Sequence, residues 1–84
     1  MTLEILTPDN TVYEGEITSV SVPGTLGSFE ILKDHAPIIS TLEDGKVTIR
    51  IGGGVPDEIF FITGGVVEVL NNQIMLLAEG VEHK

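Results

Sequence analysis

The chain has 84 residues, enough for one small domain, with 13 acidic against 4 basic side chains, a net charge of -9 and a pI of about 4.3. That balance excludes nucleic-acid binding, which relies on Lys and Arg displacing phosphate counterions, and it disfavours docking on anionic lipid. With no Cys there is no disulfide framework, thiolate nucleophile or Cys-ligated zinc.

No apolar run approaches the roughly 18 residues of a membrane span, and no basic stretch with an apolar block follows Met1. The expectation is therefore a soluble, intracellular chain without a targeting segment. Val, Ile and Thr supply 27 of the 84 residues, and Ala occurs only at positions 36 and 78. β-Branched side chains lose rotamer freedom in helices and fit a pleated surface, so the composition favours strands.

In chain order, Thr2–Thr7 reads as a first strand, broken by the turn residues Pro8-Asp9-Asn10. Thr11–Glu14 resumes, Gly15 punctuates, and Glu16–Val22 runs to Pro23-Gly24, where the missing Pro N–H ends a ladder. The next segment, PGTLGSFEILKDHAPIISTL over 23–42, opens on two Gly, is expected to bury Phe29, Ile31 and Leu32, and ends in an apolar strand, Ile38–Leu42. It predicts two strands and a tight exposed loop at Gly24–Gly27. Lys46–Ile51 alternates cleanly, with Val47, Ile49 and Ile51 on one face, and Gly52-Gly53-Gly54 is a turn. Glu58–Thr63 is almost continuously apolar and predicts a more deeply buried strand. Val66–Leu70 and Gln73–Leu77 flank Asn71-Asn72, a hairpin whose turn needs positive φ. No helical periodicity persists over about 11 residues. The fold class is all-β, an antiparallel sandwich of two sheets in a single domain over residues 1–84.

Chemistry is poorly represented. Zinc needs three or four ligands, and His35 and His83 are the only imidazoles. Glu14 and Glu16 share a strand face but have no cleft to perturb them, so they read as solvated carboxylates. Ser19, Ser21, Ser28 and Ser40 lack a nucleophile-elbow context. Gly52-Gly53-Gly54 lacks the Lys and helix of a phosphate loop. Gly24-Thr25-Leu26-Gly27 matches a GXXG clamp only without its helices and basic residues.

Pro23-Gly24-x-x-Gly27-x-Phe29-x-Ile31-Leu32-x-x-His35-Ala36-Pro37 strongly resembles the central motif of the ATP synthase epsilon subunits, the rotor-stalk subunits of bacterial and chloroplast F1, whose pattern is P-G-x-x-G-x-F-G-I-L-P-G-H-A-P. Leu3–Pro8 with Val12–Gly15, Thr63–Val69 and Leu77–Glu79 resemble further family stretches in the same order. Two places depart: Glu30 replaces a Gly, and Lys33-Asp34 replaces Pro-Gly. The C-terminal helical hairpin of longer relatives has no counterpart after Glu79.

The resemblance implies the family's N-terminal β-sandwich and a non-catalytic coupling role with no cofactor. The implied partners are the gamma subunit, the ring of c subunits and, indirectly, the alpha/beta hexamer, with no direct lipid insertion. The implied location is peripheral, on the cytoplasmic face of the bacterial cell membrane. It maps a ring-facing loop onto Thr25, Leu26, Gly27 and Ser28, flanked by Phe29 and Glu30. It maps gamma-facing positions onto Thr7, His35 and Ser40, with Ile38 and Ile39, and these are expected to border an exposed apolar patch. Two other classes compete: a small metal enzyme centred on His35 with Asp34 or Glu30, and a free-standing sandwich that binds a ligand in a deep apolar pocket.

Overall fold

The computed structural model describes residues 1–83, without the side chain of His83, as ten strands and no helix. They are β1 (Thr2–Leu6), β2 (Thr11–Glu16), β3 (Ser19–Gly24), β4 (Gly27–Leu32), β5 (Ile38–Leu42), β6 (Gly45–Arg50), β7 (Glu58–Ile62), β8 (Gly65–Leu70), β9 (Gln73–Ala78) and β10 (Val81–His83). The strand order is β10-β7-β6-β3-β5-β8-β9-β1-β2, with β4 on the other side of β3. Only Gly24 and Leu42 pair β3 with β5. At that narrow joint the sheet folds over, so that β5-β8-β9-β1-β2 forms one layer and β10-β7-β6-β3-β4 the other.

Alternation places the core between them. Leu3 and Ile5 on β1, Val67 and Val69 on β8, and Ile74 and Leu76 on β9 meet Val20, Ile31, Val47, Ile49 and Phe60 from the facing layer. The core is aliphatic with few rings. Tyr13 meets Phe60 across the layers edge-on, with ring centroids 6.2 Å apart. At about 25 cal/mol per Å² of apolar surface, this interdigitated aliphatic set dominates the stability of so small a domain.

The all-β sandwich agrees with the composition, and β6 alternates as its sequence predicts, with Val47 and Ile49 inward. Asn71 and Asn72 adopt φ of 50° and 61°, the positive-φ turn their residue types favour. The predicted turn between 24 and 27 is a tight hairpin connection from β3 to β4.

Several details differ from expectation. Gly15 does not interrupt a strand; β2 continues through it, and the chain turns at Ile17-Thr18 instead. Pro23 does not end β3 but lies within it, buried. Its missing N–H costs little there, because β3 pairs with β6 only over Ser19–Ser21 and with β5 only at Gly24. Of the trio Phe29, Ile31 and Leu32, only Ile31 is buried; Phe29 is half-buried and Leu32 points outward, as alternation along β4 requires. β7 is no more buried than β6, since Phe61 faces out between Phe60 and Ile62. Residues 81–83 add a short edge strand on β7, which their sequence did not announce. One pair, β1 with β9, is parallel; the Thr2 N–H reaches Asn72 O at 3.0 Å at its start.

Candidate functional site

The hairpin at residues 24–27 is the most projecting feature next to a concave surface. Gly24 is paired face to face with Gly27, and a Cβ on Gly24 would come within 2.7 Å of the Gly27 carbonyl and 2.8 Å of the Phe29 ring. Gly27 itself has φ of 128°, which L side chains rarely adopt. The two glycines thus serve different ends: close packing of Phe29, and the turn. Thr25 ties the tip back to β5, its N–H donating to Thr41 O at 3.1 Å and the two threonine hydroxyls meeting at 2.8 Å. Leu26, at the apex, is completely exposed. Ser28 and Glu30 face solvent. Below the loop, Gly24, Phe29, Ile39, Ser40 and Thr41 line an open hollow.

Ile39 and Ser40 therefore share a site with the hairpin, but on opposite faces of β5. Ile39 points outward, while Ser40 and Ile38 are half-buried on the core side. His35 lies in the β4–β5 turn. Its N–H bonds Leu32 O at 3.1 Å, and Nδ1 lies 2.7 Å from Ala36 O. A carbonyl can only accept, so Nδ1 carries the proton and donates. Asp34 takes φ of 65°, supplying the left-handed residue that a Gly would otherwise provide in this turn. A reciprocal clasp holds it: the Asp34 N–H donates to Asn72 Oδ1 at 2.6 Å, and Asn72 Nδ2 donates to Asp34 Oδ1 at 2.9 Å.

Thr7 is elsewhere. It closes the turn after β1, with its N–H on Asn10 O at 2.9 Å and its Oγ1 accepting from the Asn10 N–H at 3.2 Å. Thr2 sits beside Asn72, and five residues of strand carry Thr7 about 17 Å away. Thr7 and His35 consequently lie at opposite ends of the layer. No single patch unites Thr7, His35 and Ser40.

The sequence reading passed over Leu70, Met75 and Leu77, all exposed on the outer face of β8 and β9. The available signal was the presence of apolar residues at both parities of those strands, where a half-buried strand carries them at one. Among the described residues no three His, Cys, Asp or Glu side chains group so as to hold a metal ion, which removes the geometric basis of a metal site at His35. The hollows are open surface features, unlike the deep apolar pocket of a ligand-binding sandwich. No helix among the described residues is long and apolar enough to cross a membrane.

Comparison with known proteins gives a consistent picture. The family model described as "ATP synthase, Delta/Epsilon chain, beta-sandwich domain" matches residues 1–84. An ATP synthase epsilon chain of Chlorobaculum tepidum is 44% identical over 80 residues, covering 95% of this chain and 90% of that protein. One from Chlorobium limicola is 43% identical, covering 94% and 89%. The epsilon chain of Herminiimonas arsenicoxydans is longer: at 34% identity the match covers 94% of this chain but 56% of the relative. Among solved structures, a chain of the Euglena gracilis mitochondrial ATP synthase (OSCP/F1/c-ring) superposes with a TM-score of 0.89 over 96% of this chain and 51% of its own, at 16% identity. A chain of the Tetrahymena thermophila central stalk and c-ring gives 0.83 over 98% and 65%, at 19% identity. At such identities these two show the fold.

Proposed function

Because the chain belongs to the ATP synthase delta/epsilon family, matching its β-sandwich domain over residues 1–84, we propose that it is a non-catalytic subunit of the central stalk. In this reading it docks on the gamma subunit and on the ring of c subunits and couples ion-driven rotation to ATP synthesis. The observation that carries the proposal is the 44% identity to an ATP synthase epsilon chain over 95% of the chain. Its place is then peripheral, on the cytoplasmic face of a bacterial membrane, reaching the alpha/beta hexamer only through the stalk.

The hairpin supports a ring-facing role for Thr25, Leu26, Gly27 and Ser28. A two-residue apex braced by Thr41 and packed over Phe29 is a rigid projection, and rigid projections transmit force with little lost to bending. An exposed Leu at its tip is an apolar anchor without a counterpart in this chain. On the gamma side, Ile39 and the clasped His35 turn offer a second, pre-ordered surface, with Ser40 and Ile38 behind it; Thr7, at the far end of the layer, would contact gamma only through a broad interface. The chain does no chemistry of its own in this account.

The test is co-expression with the gamma subunit, followed by addition of the complex to vesicles carrying the ring and stripped of the native stalk. The expected outcome is a stable pair with gamma and restored ATP synthesis. Failure to co-purify with gamma overturns the reading.

A further inference from the structure

The outer face of β5, β8, β9 and β1 carries an apolar field that the mapped positions, Ile39 apart, leave out. Register aligns its residues in rows across the four strands. Thr41, Val66, Leu77 and Leu6 form one row, Ile39, Glu68, Met75 and Glu4 the next, and Leu70, Gln73 and Thr2 a third. Their alternate neighbours along each strand line the core, so these side chains point outward. Exposure is 74% for Ile39, 52% for Leu70, 49% for Leu77 and 38% for Met75. A clustered set of this kind on one face marks an interaction surface more than scattered apolar residues do.

The charge on this face is of one sign. Glu68 and Glu4 share the middle row, and Glu4 stands directly opposite Glu14 on β2. Like charges facing across strands are unfavourable when nothing neutralises them. Among the described residues, Glu4, Glu14 and Glu68 have no ion pair; the acids that do are Glu16, with the Met1 amino group at 3.2 Å, and Asp57, with Arg50 at 4.0 Å. Lys46 and Arg50 belong to β6 in the other layer, and Lys33 to the β4–β5 turn. The backbone is also closed to addition, since β8, β9 and β1 are each paired on both sides. An occupant must lie on top of the face and present side chains.

We propose that this face is a docking surface for an amphipathic α-helix of a partner protein, one whose apolar stripe is flanked by Lys or Arg. The stripe covers Ile39, Leu70, Met75 and Leu77 while the basic flank neutralises Glu68, Glu4 and Glu14. Four strands span about 14 Å between outer axes, the width of one helix with its side chains. A second copy of this chain is excluded by its net charge of -9, and an anionic lipid surface by the same repulsion.

The experiment titrates the full chain, labelled for amide NMR, with a helical peptide of about 18 residues bearing Leu at i, i+3, i+4 spacing and flanking Lys. A second peptide carries Glu in place of each Lys. Expected are amide shifts at Ile39, Leu70, Met75 and Leu77 with the Lys peptide, an affinity that falls about tenfold as salt rises over the range where the Debye length shrinks below contact scale, and no shifts with the Glu peptide. Leu77→Asp and, independently, Glu68→Lys each weaken binding about tenfold, whereas Val55→Asp, in the β6–β7 loop, leaves it unchanged. Glu68→Lys keeps the apolar field intact and guards against a Leu77 variant that fails to fold. Equal binding of the two peptides, shifts mapping to another surface, or no effect of Glu68→Lys overturns the proposal.

Discussion

Asp34 and Asn72 show how a single residue choice is answered at a distance of 38 positions. Asp34 occupies left-handed backbone at φ of 65°, Asn72 does so at 61°, and each side chain serves the other turn. Asn72→Ala is expected to lose about 2 kcal/mol in urea unfolding, roughly half from the left-handed backbone and half from the clasp. Asn72→Gly keeps the backbone freedom and should lose about 1 kcal/mol, which separates the two contributions. Gly65 is a stricter case: with φ of 148°, an added Cβ would collide with the Leu77 carbonyl. Gly65→Ala should therefore destabilise by about 2 kcal/mol or more, read from the same unfolding curves. Tyr13 carries a different kind of signature, because burial, reinforced by the Glu58 carboxylate, holds its phenol above the ordinary 10.0. The folded state then keeps its proton at pH values where the unfolded chain has released it. Stability is thus full below pH 10.0 and declines as the pH rises through the elevated folded value. Phenolate absorbance should titrate late, and Tyr13→Phe should flatten the alkaline decline; a Tyr13 that titrates at the ordinary value would contradict this.

At the scale of elements, the β3–β4 hairpin combines a firm base with a tip free of structural duty. Val20 and Ile31, paired across it, are fully buried, whereas Leu26 contributes nothing to the core. Leu26→Ser should accordingly change unfolding free energy by less than about 0.5 kcal/mol while weakening attachment to the ring. A ring affinity unchanged by that substitution would remove the apex from the docking surface. The strands themselves show where periodicity suffices. β6 could be read directly, since Val47 and Ile49 alternate with Lys46 and Thr48. β7 could not, because Phe60, Phe61 and Ile62 are all apolar and only the facing layer decides that Phe61 is the one turned out. Pro23 misleads for a related reason: a missing N–H ends a ladder only where a neighbour needs it, and β3 has a gap between β6 and β5 at that point.

At the scale of the molecule, a restraint on ATP hydrolysis of the helical-hairpin kind requires helices that the described residues do not contain. Added to a hexamer with gamma, the 84-residue chain should leave hydrolysis essentially unchanged and give no heat with ATP in calorimetry. Strong inhibition, or micromolar ATP binding, would place a regulatory role in the sandwich itself. The all-β class, most strand positions, the exposed 24–27 turn, the Asn turn and the family motif around His35 were legible in the sequence, because β-branched alternation and Gly, Pro and Asn punctuation are local signals. The separation of Thr7 from His35, the inward aim of Ser40, the Asp34–Asn72 clasp and the field of Leu70, Met75 and Leu77 were decided only by tertiary structure. Each depends on which strands become neighbours and on where the sheet folds over at Gly24 and Leu42, and no local residue pattern encodes pairings between segments so far apart in the chain.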